Sequence, residues 1–205
     1  MARILMLTPQ LPIPPQALTG TSQGTTIRNF NLIAGLARRH TVDLVSFVAA
    51  ETPAAALPEA LVRCCRRIIT VPQPVRTTRQ RIRDTFLSPL PDMALRLASP
   101  IMHEHLDRLL TGQDASEYDV IQIEGIEMAG YMPRQPGRRA VRLVFDDHNA
   151  EYVLQRRACL TDLRRPPRWP AAAYSLIQWR KLVGYERQVC RAADRVVAVS
   201  EADAA

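Results

Sequence analysis

Short apolar runs and amphipathic stretches alternate along the whole chain. Arg3 to Thr8 is almost unbroken apolar sequence, the pattern of a strand covered on both faces. After Gly24, apolar residues return at Ile27, Phe30, Ile33, Ala34 and Ala37, the spacing of one helix face. Thr41 to Val48 predicts a second strand, Ala54 to Arg66 a helical stretch, and Arg67 to Val71 a third strand stopped by Pro72. The basic segment Arg76 to Arg83 predicts helix and loop. Ser99-Pro100 then opens a helix through Leu110, with serine as N-cap and proline in the first turn. Asp119 to Glu124 is the next strand. Arg142 to Phe145 is another, running into Asp146-Asp147-His148-Asn149 and a helix from Ala150 to Leu163. Arg164-Arg165-Pro166-Pro167 interrupts, and an amphipathic helix from Ala171 to Ala193 leads to a last strand, Arg195 to Val199. Ser200 reads as the N-cap of a further helix, with Glu201 and Asp203 suited to its first turn.

Apolar strands alternating with helices predict an α/β fold, a Rossmann-like parallel sheet with helices on both faces. Ligands of such sheets bind beyond the carboxyl ends of the strands, so the residues just after each strand are the place to look.

Composition narrows the picture. The 205 residues are 47% hydrophobic and 23% charged, ordinary for one globular domain. No apolar run reaches the roughly 20 residues of a membrane span, and the amino terminus has no signal-peptide core, so a cytoplasmic protein is expected. Cys64, Cys65, Cys159 and Cys190 have no C-x-x-C spacing and are expected to be reduced packing residues. The net charge is +7, and among 27 Lys and Arg only Lys181 is a lysine. Arginine's planar fork suits phosphates and anionic surfaces, which leaves nucleic acid, an anionic membrane face and a phosphate-bearing substrate open on charge alone.

The loop from Pro9 to Gly24 ends in small residues and runs into a helix N-terminus, where backbone amides and the helix dipole favour an anion. It does not fit G-x-G-x-x-G, so a dinucleotide fingerprint is not expected. Glu124, before Gly125, stands at the end of a strand, where it could orient a sugar hydroxyl or cap the next helix. His148 offers a base or hydrogen-bond donor, and Asn149 a cap or a ligand contact. His103-Glu104-His105 lacks metal-ligand spacing on a helix, so no metal site is expected there. No G-x-S-x-G elbow or phosphate-binding P-loop occurs.

Several of these stretches, in order, resemble the N-terminal domain of family-4 glycosyltransferases. They are Ile4 to Pro9 with Pro14-Pro15; Arg28, Asn31-Leu32 and Leu36 to His40; Val42 to Phe47; Tyr118 to Ile121 with Glu124-Gly125; Asp146 to Asn149; and Tyr185-Glu186-Arg187 through Ala193 to Ser200. The resemblance implies one half of a GT-B architecture, the acceptor-side domain, with a nucleotide-sugar-binding domain beyond Ala205. It implies a retaining, metal-independent transferase that uses a nucleotide-sugar as substrate and no cofactor, moves the sugar to a glycan or lipid-linked acceptor, binds no nucleic acid, and is silent as this piece alone. Glu124, His148 and Asn149 are then expected on the acceptor side, with His148 the catalytic candidate. Gly24 matches one glycine of the family's donor-phosphate pair, and Thr25 stands at the other. A free-standing Rossmann-like binding module, or part of a GT-B nucleotide-sugar epimerase, is the competing reading. Arg76 to Arg83, with Ile82, Phe86 and Leu87, is a candidate contact with an anionic membrane, peripheral to the inner face of the plasma membrane.

Overall fold

The computed structural model describes residues 1–15, 24–49, 57–111, 118–133 and 141–200. Its elements are β1 (Arg3–Thr8), α1 (Gly24–Ala37), β2 (Thr41–Val48), α2 (Glu59–Cys64), β3 (Arg67–Pro72), α3 (Thr78–Leu87), α4 (Asp92–Arg96), α5 (Pro100–Thr111), β4 (Val120–Glu124), β5 (Arg142–Asp147), α6 (Glu151–Leu163), α7 (Trp169–Ala192) and β6 (Arg195–Ala198). Short 3-10 turns lie at Ile126–Tyr131 and Pro166–Arg168.

The six strands pair in parallel, in the order β3-β2-β1-β4-β5-β6. Side chains alternate across a strand. Leu5 and Leu7 of β1 therefore share one layer with Val45 and Phe47, and with Met102 and Leu106 of α5 and Val189 of α7. Met6 points the other way, to Leu44, Ile33 of α1 and Leu61 of α2. Both faces of the central strands are covered, which is why β1 and β2 are mostly apolar, while the edge strand β6 is largely exposed. The Rossmann-like α/β architecture is thus the fold of this chain. Among the described residues, no helix is long and apolar enough to cross a membrane.

Toward the amino ends of the strands, buried Asp43 joins distant segments. Arg66 donates to it through Nε at 3.0 Å and Nη2 at 2.5 Å, and Tyr118 through its hydroxyl at 2.7 Å. Burial pushes the Asp43 carboxyl up, but the bonds from Arg66 and Tyr118 outweigh it and leave it below its ordinary value.

Several boundaries differ from expectation. β5 continues through Asp146 and Asp147 because both carboxylates find partners while buried. The helix expected from Ala54 to Arg66 spans Glu59–Cys64, with residues 50–56 outside the described ones. α7 starts at Trp169 with Pro170 in its first turn, where a missing amide costs no helical bond. On α1 the buried positions are Thr26, Asn29 and Ile33, a stripe rotated from the expected one. Ser99 caps α5 as expected, its Oγ accepting from the Met102 amide at 3.4 Å. The helix anticipated after Ser200 falls on residues 201–205, outside the described ones.

Candidate functional site

A polar cleft of about 170 Å³ opens at the carboxyl ends of β1, β4 and β5. Its position follows from topology: the strand order reverses between β1 and β4, and the diverging connections leave a crevice there. Pro9 and Gln10 after β1, Gly125 and Glu127 after β4, and Asp147, His148 and Asn149 at the end of β5 line it. Thr25 from the first turn of α1 and Arg96 from α4 complete the rim.

His148 is held by Glu124. The imidazole Nε2 lies 2.9 Å from Glu124 Oε2, and the other carboxylate oxygen accepts from Gln122 Nε2 at 2.7 Å. A carboxylate is chiefly an acceptor, so Nε2 is the ring nitrogen that donates to Glu124, and Nδ1 is the one turned away from it. Nδ1 lies beside Gly125, in the cleft wall: a Cβ on Gly125 would be 3.4 Å from it. Glu124 itself is fully buried and stands behind the wall, so its expected direct contact with the cleft is corrected to a contact through His148. A carboxylate with both oxygens engaged has little left to offer a ligand.

Register explains the charges behind the wall. Glu124 of β4 and Asp146 of β5 are paired neighbours in the sheet, and both are buried. Arg28 of α1 resolves the repulsion: its Nη2 sits 2.8 and 2.7 Å from the two Asp146 oxygens, and Nη1 3.8 Å from Glu124. Ligand atoms of Glu124, Asp146 and His148 all lie within 4.8 Å of one another, a spacing a metal ion could use. The guanidinium already occupies the Asp146 oxygens, and a cation entering there would have to displace it. In the sequence Arg28 is visible only as part of a family-like stretch, because no spacing rule joins it to residues more than ninety positions away.

Under the wall lies a buried pair of carboxyl groups, Asp147 and Glu186 of α7, joined by a hydrogen bond. Glu186 Oε2 accepts the Tyr152 amide at 3.2 Å. This corrects the expected cap of α6: the N-cap residue is Ala150, which offers no side-chain oxygen, and Asn149 Nδ2 instead contacts Glu151 at 3.4 Å. The orphan amide is satisfied from α7. Burial, and then the Glu186 charge, push the Asp147 carboxyl up to about 7. Burial is also the main cause of the raised value at Glu186, which the Tyr152 amide opposes. Glu186 accepts from two backbone amides, Tyr152 and Glu151, and Asp147 from one, Asn149, so the shared proton belongs on Asp147.

Gly125 turns the chain from β4 into the cleft with φ 82°, and its amide donates to the Asp146 carbonyl at 2.9 Å. An alanine Cβ there would lie 3.1 Å from Glu127 Oε2. Gly125→Ala is expected to lower unfolding stability by about 1–2 kcal/mol and to displace the His148 ring. Urea unfolding and the histidine ring resonances check both.

Among the other expected site residues, Thr25 lines the cleft, whereas Gly24 is exposed with open space around it. Of the donor-phosphate loop between Pro9 and Gly24, residues 16–23 lie outside the described ones. His103 packs against Tyr131 with the rings tilted by 49° and their centroids 4.6 Å apart, an aromatic contact in the fold. Arg96, 3.5 Å from Glu127 across the rim, carries no sequence signal because its five-residue helix is too short to show a period.

No curated protein matches the chain. Among solved structures it is similar to one titled as the N-terminal domain of Candida albicans trehalose-6-phosphate phosphatase, at 13% identity and a TM-score of 0.41, covering 94% of this chain. The chain spans 42% of that solved chain. The model of Glycosyltransferase Family 4 matches residues 22–205. The chain belongs to Glycosyltransferase Family 4.

Proposed function

We propose that this domain binds the sugar acceptor of a retaining glycosyltransferase, with His148 facing the reacting sugars and a nucleotide-sugar held by a second domain beyond Ala205. The observation that carries this reading is the Glu124–His148 pair, which aims imidazole Nδ1, an acid–base partner for a sugar hydroxyl, toward a cleft at the topological switch point. The cleft's chemistry supports a hydroxyl-rich ligand. Glu127 and Glu151 outnumber Arg96, and carboxylates accept hydrogen bonds from sugar hydroxyls. Asn149 offers a further amide for the same purpose, and Thr25 stands at the amide-rich start of α1, where a donor phosphate is favoured.

On this reading the reaction needs neither metal nor cofactor. Its site of action on this reading is cytoplasmic. The isolated chain orients only one of two substrates, so it is silent alone. The acceptor is a glycan or a lipid-linked sugar, and the transferred group a hexose of the kind used in polysaccharide biosynthesis.

The test has two parts. In the isolated chain, titration with a panel of glycosides should shift the His148 ring resonances. In the longer polypeptide carrying this domain, His148→Gln should lower transfer from a nucleotide-sugar about 10²-fold or more, the scale of a lost general acid–base group. Glycosides that leave His148 unmoved, together with transfer unchanged in His148→Gln, sink the reading.

A further inference from the structure

Helix α3 is amphipathic in the opposite sense to an ordinary surface helix. Its inward side is polar. Asp84 accepts from Arg76 Nη2 at 2.9 Å, Arg81 Nη2 reaches Asp92 at 3.3 Å, and Lys181 Nζ donates to the carbonyls of Asp84 and Thr85 at 3.3 and 2.7 Å. The capping box of Thr77 and Gln80 fixes its start. The apolar residues are left outside: Ile82 is 57%, Phe86 71% and Leu87 78% exposed. At 100° per residue, Ile82, Phe86, Arg79, Arg83 and Leu87 fall on one continuous side.

A second segment adjoins it. The first turns of α7 pack beside α3 and leave an apolar groove of about 350 Å³ between Ile82 and Phe86 on one side and Pro170, Ala173, Tyr174 and Ile177 on the other. Trp169, 57% exposed, stands at the end of that row. Arg164, Arg165 and Arg168, all exposed, lead into it. From Arg76 to Leu90 and from Arg164 to Arg180 the only acidic residue is Asp84, and its carboxylate is taken by Arg76 and Arg83. Arg76 is turned inward onto Asp84 and Asp92, and Arg168 pairs with Asp162, so Arg79, Arg164 and Arg165 carry the net charge of the outer face.

We infer that the α3 face and the start of α7 form a docking surface for an anionic lipid bilayer, with Phe86 and Leu87 entering the headgroup boundary and the arginines on the lipid phosphates. Charge selects this occupant. Exposed aromatic and aliphatic side chains beside an excess of arginine fit a negative interface, where tryptophan also concentrates. The inference is independent of the cleft and of the transferase reading.

Sedimentation of the chain with vesicles tests it. Binding is expected to vesicles containing phosphatidylglycerol, to be at least about tenfold weaker to phosphatidylcholine alone, and to fall as salt rises. F86S/L87S should weaken binding to the anionic vesicles by about tenfold or more, and R79E/R165E by a similar factor, with circular dichroism unchanged because all four residues are exposed. Equal binding to both vesicle types, or anionic binding that survives both variants, overturns the proposal. So does failure of the folded chain to bind, or light scattering that shows self-association through the F86S/L87S-sensitive face in place of lipid binding.

Discussion

Arg28→Ala is expected to cost about 3 kcal/mol of unfolding stability, the lower end of the range for removing one partner of a buried ion pair. The size of the effect comes from the charges it leaves uncompensated. Asp146 and Glu124 are 1% and 0% exposed, stand side by side in the sheet, and have Arg28 as their nearby cation. The Arg28 side chain is 35% exposed, so water relieves part of the loss and the upper end of the range is not reached. For a chain of this length, about 3 kcal/mol moves the thermal midpoint by roughly 6–12 °C. Arg28→Lys should recover only part of it, because an ammonium cannot span both Asp146 oxygens and also face Glu124. In the double variant Arg28→Ala/Asp146→Asn, the loss should be smaller than the sum of the single losses. Urea denaturation of the parent, the two single variants and the double variant measures the coupling, and strict additivity would show that the pair does not act as a unit.

The second large effect is a fall in stability between about pH 4 and pH 7. Asp147 is raised to about 7 by burial and then by Glu186, so over that window the folded state holds a proton that the unfolded state has released. The folded form is therefore favoured at low pH, and the contribution is lost as pH rises through the folded value. The rise from the ordinary carboxyl range to about 7 corresponds to up to about 4 kcal/mol, with Glu186 acting in the same direction. Asp147→Asn tests the assignment, because its amide can donate to the Glu186 carboxylate as the protonated acid does. The variant should match the unsubstituted chain near pH 4, exceed it at pH 8, and show a flatter profile between. Thermal unfolding across that range reads it directly; parallel profiles for the two proteins would place the proton elsewhere.

Both effects arise from groups whose sequence positions carry little signal by themselves. Arg28 and Asp146 are 118 residues apart, and Asp147 and Glu186 lie on a strand and a helix separated by the whole of α6. In the sequence, Glu186 stands out only within the stretch Tyr185-Glu186-Arg187, on a helix where an acidic residue ordinarily faces water. It is buried because α7 runs back along β5 and brings a carboxylate to the start of α6. The cap expected at Asn149 fails for the same reason: a local oxygen is the natural expectation, and a distant one takes the amide.

Local rules did determine most of the architecture. All six strands begin within one residue of their expected starts, because apolar runs of this length bounded by polar residues have one economical use in a covered parallel sheet. The same rules pointed to the loops after β4 and β5, where the polar cleft lies, since parallel topology puts ligand chemistry at the carboxyl ends of strands. The tertiary structure alone decided which of those polar residues face the cleft. Glu124 turned inward to hold His148, Arg28 came from α1 to neutralise two adjacent carboxylates, and α3 kept its apolar side outward because ion pairs bind its other side. Hydrophobic periodicity is local and survives in one dimension; the pairing of buried charges depends on which strands become neighbours, and that is settled only when the sheet has formed.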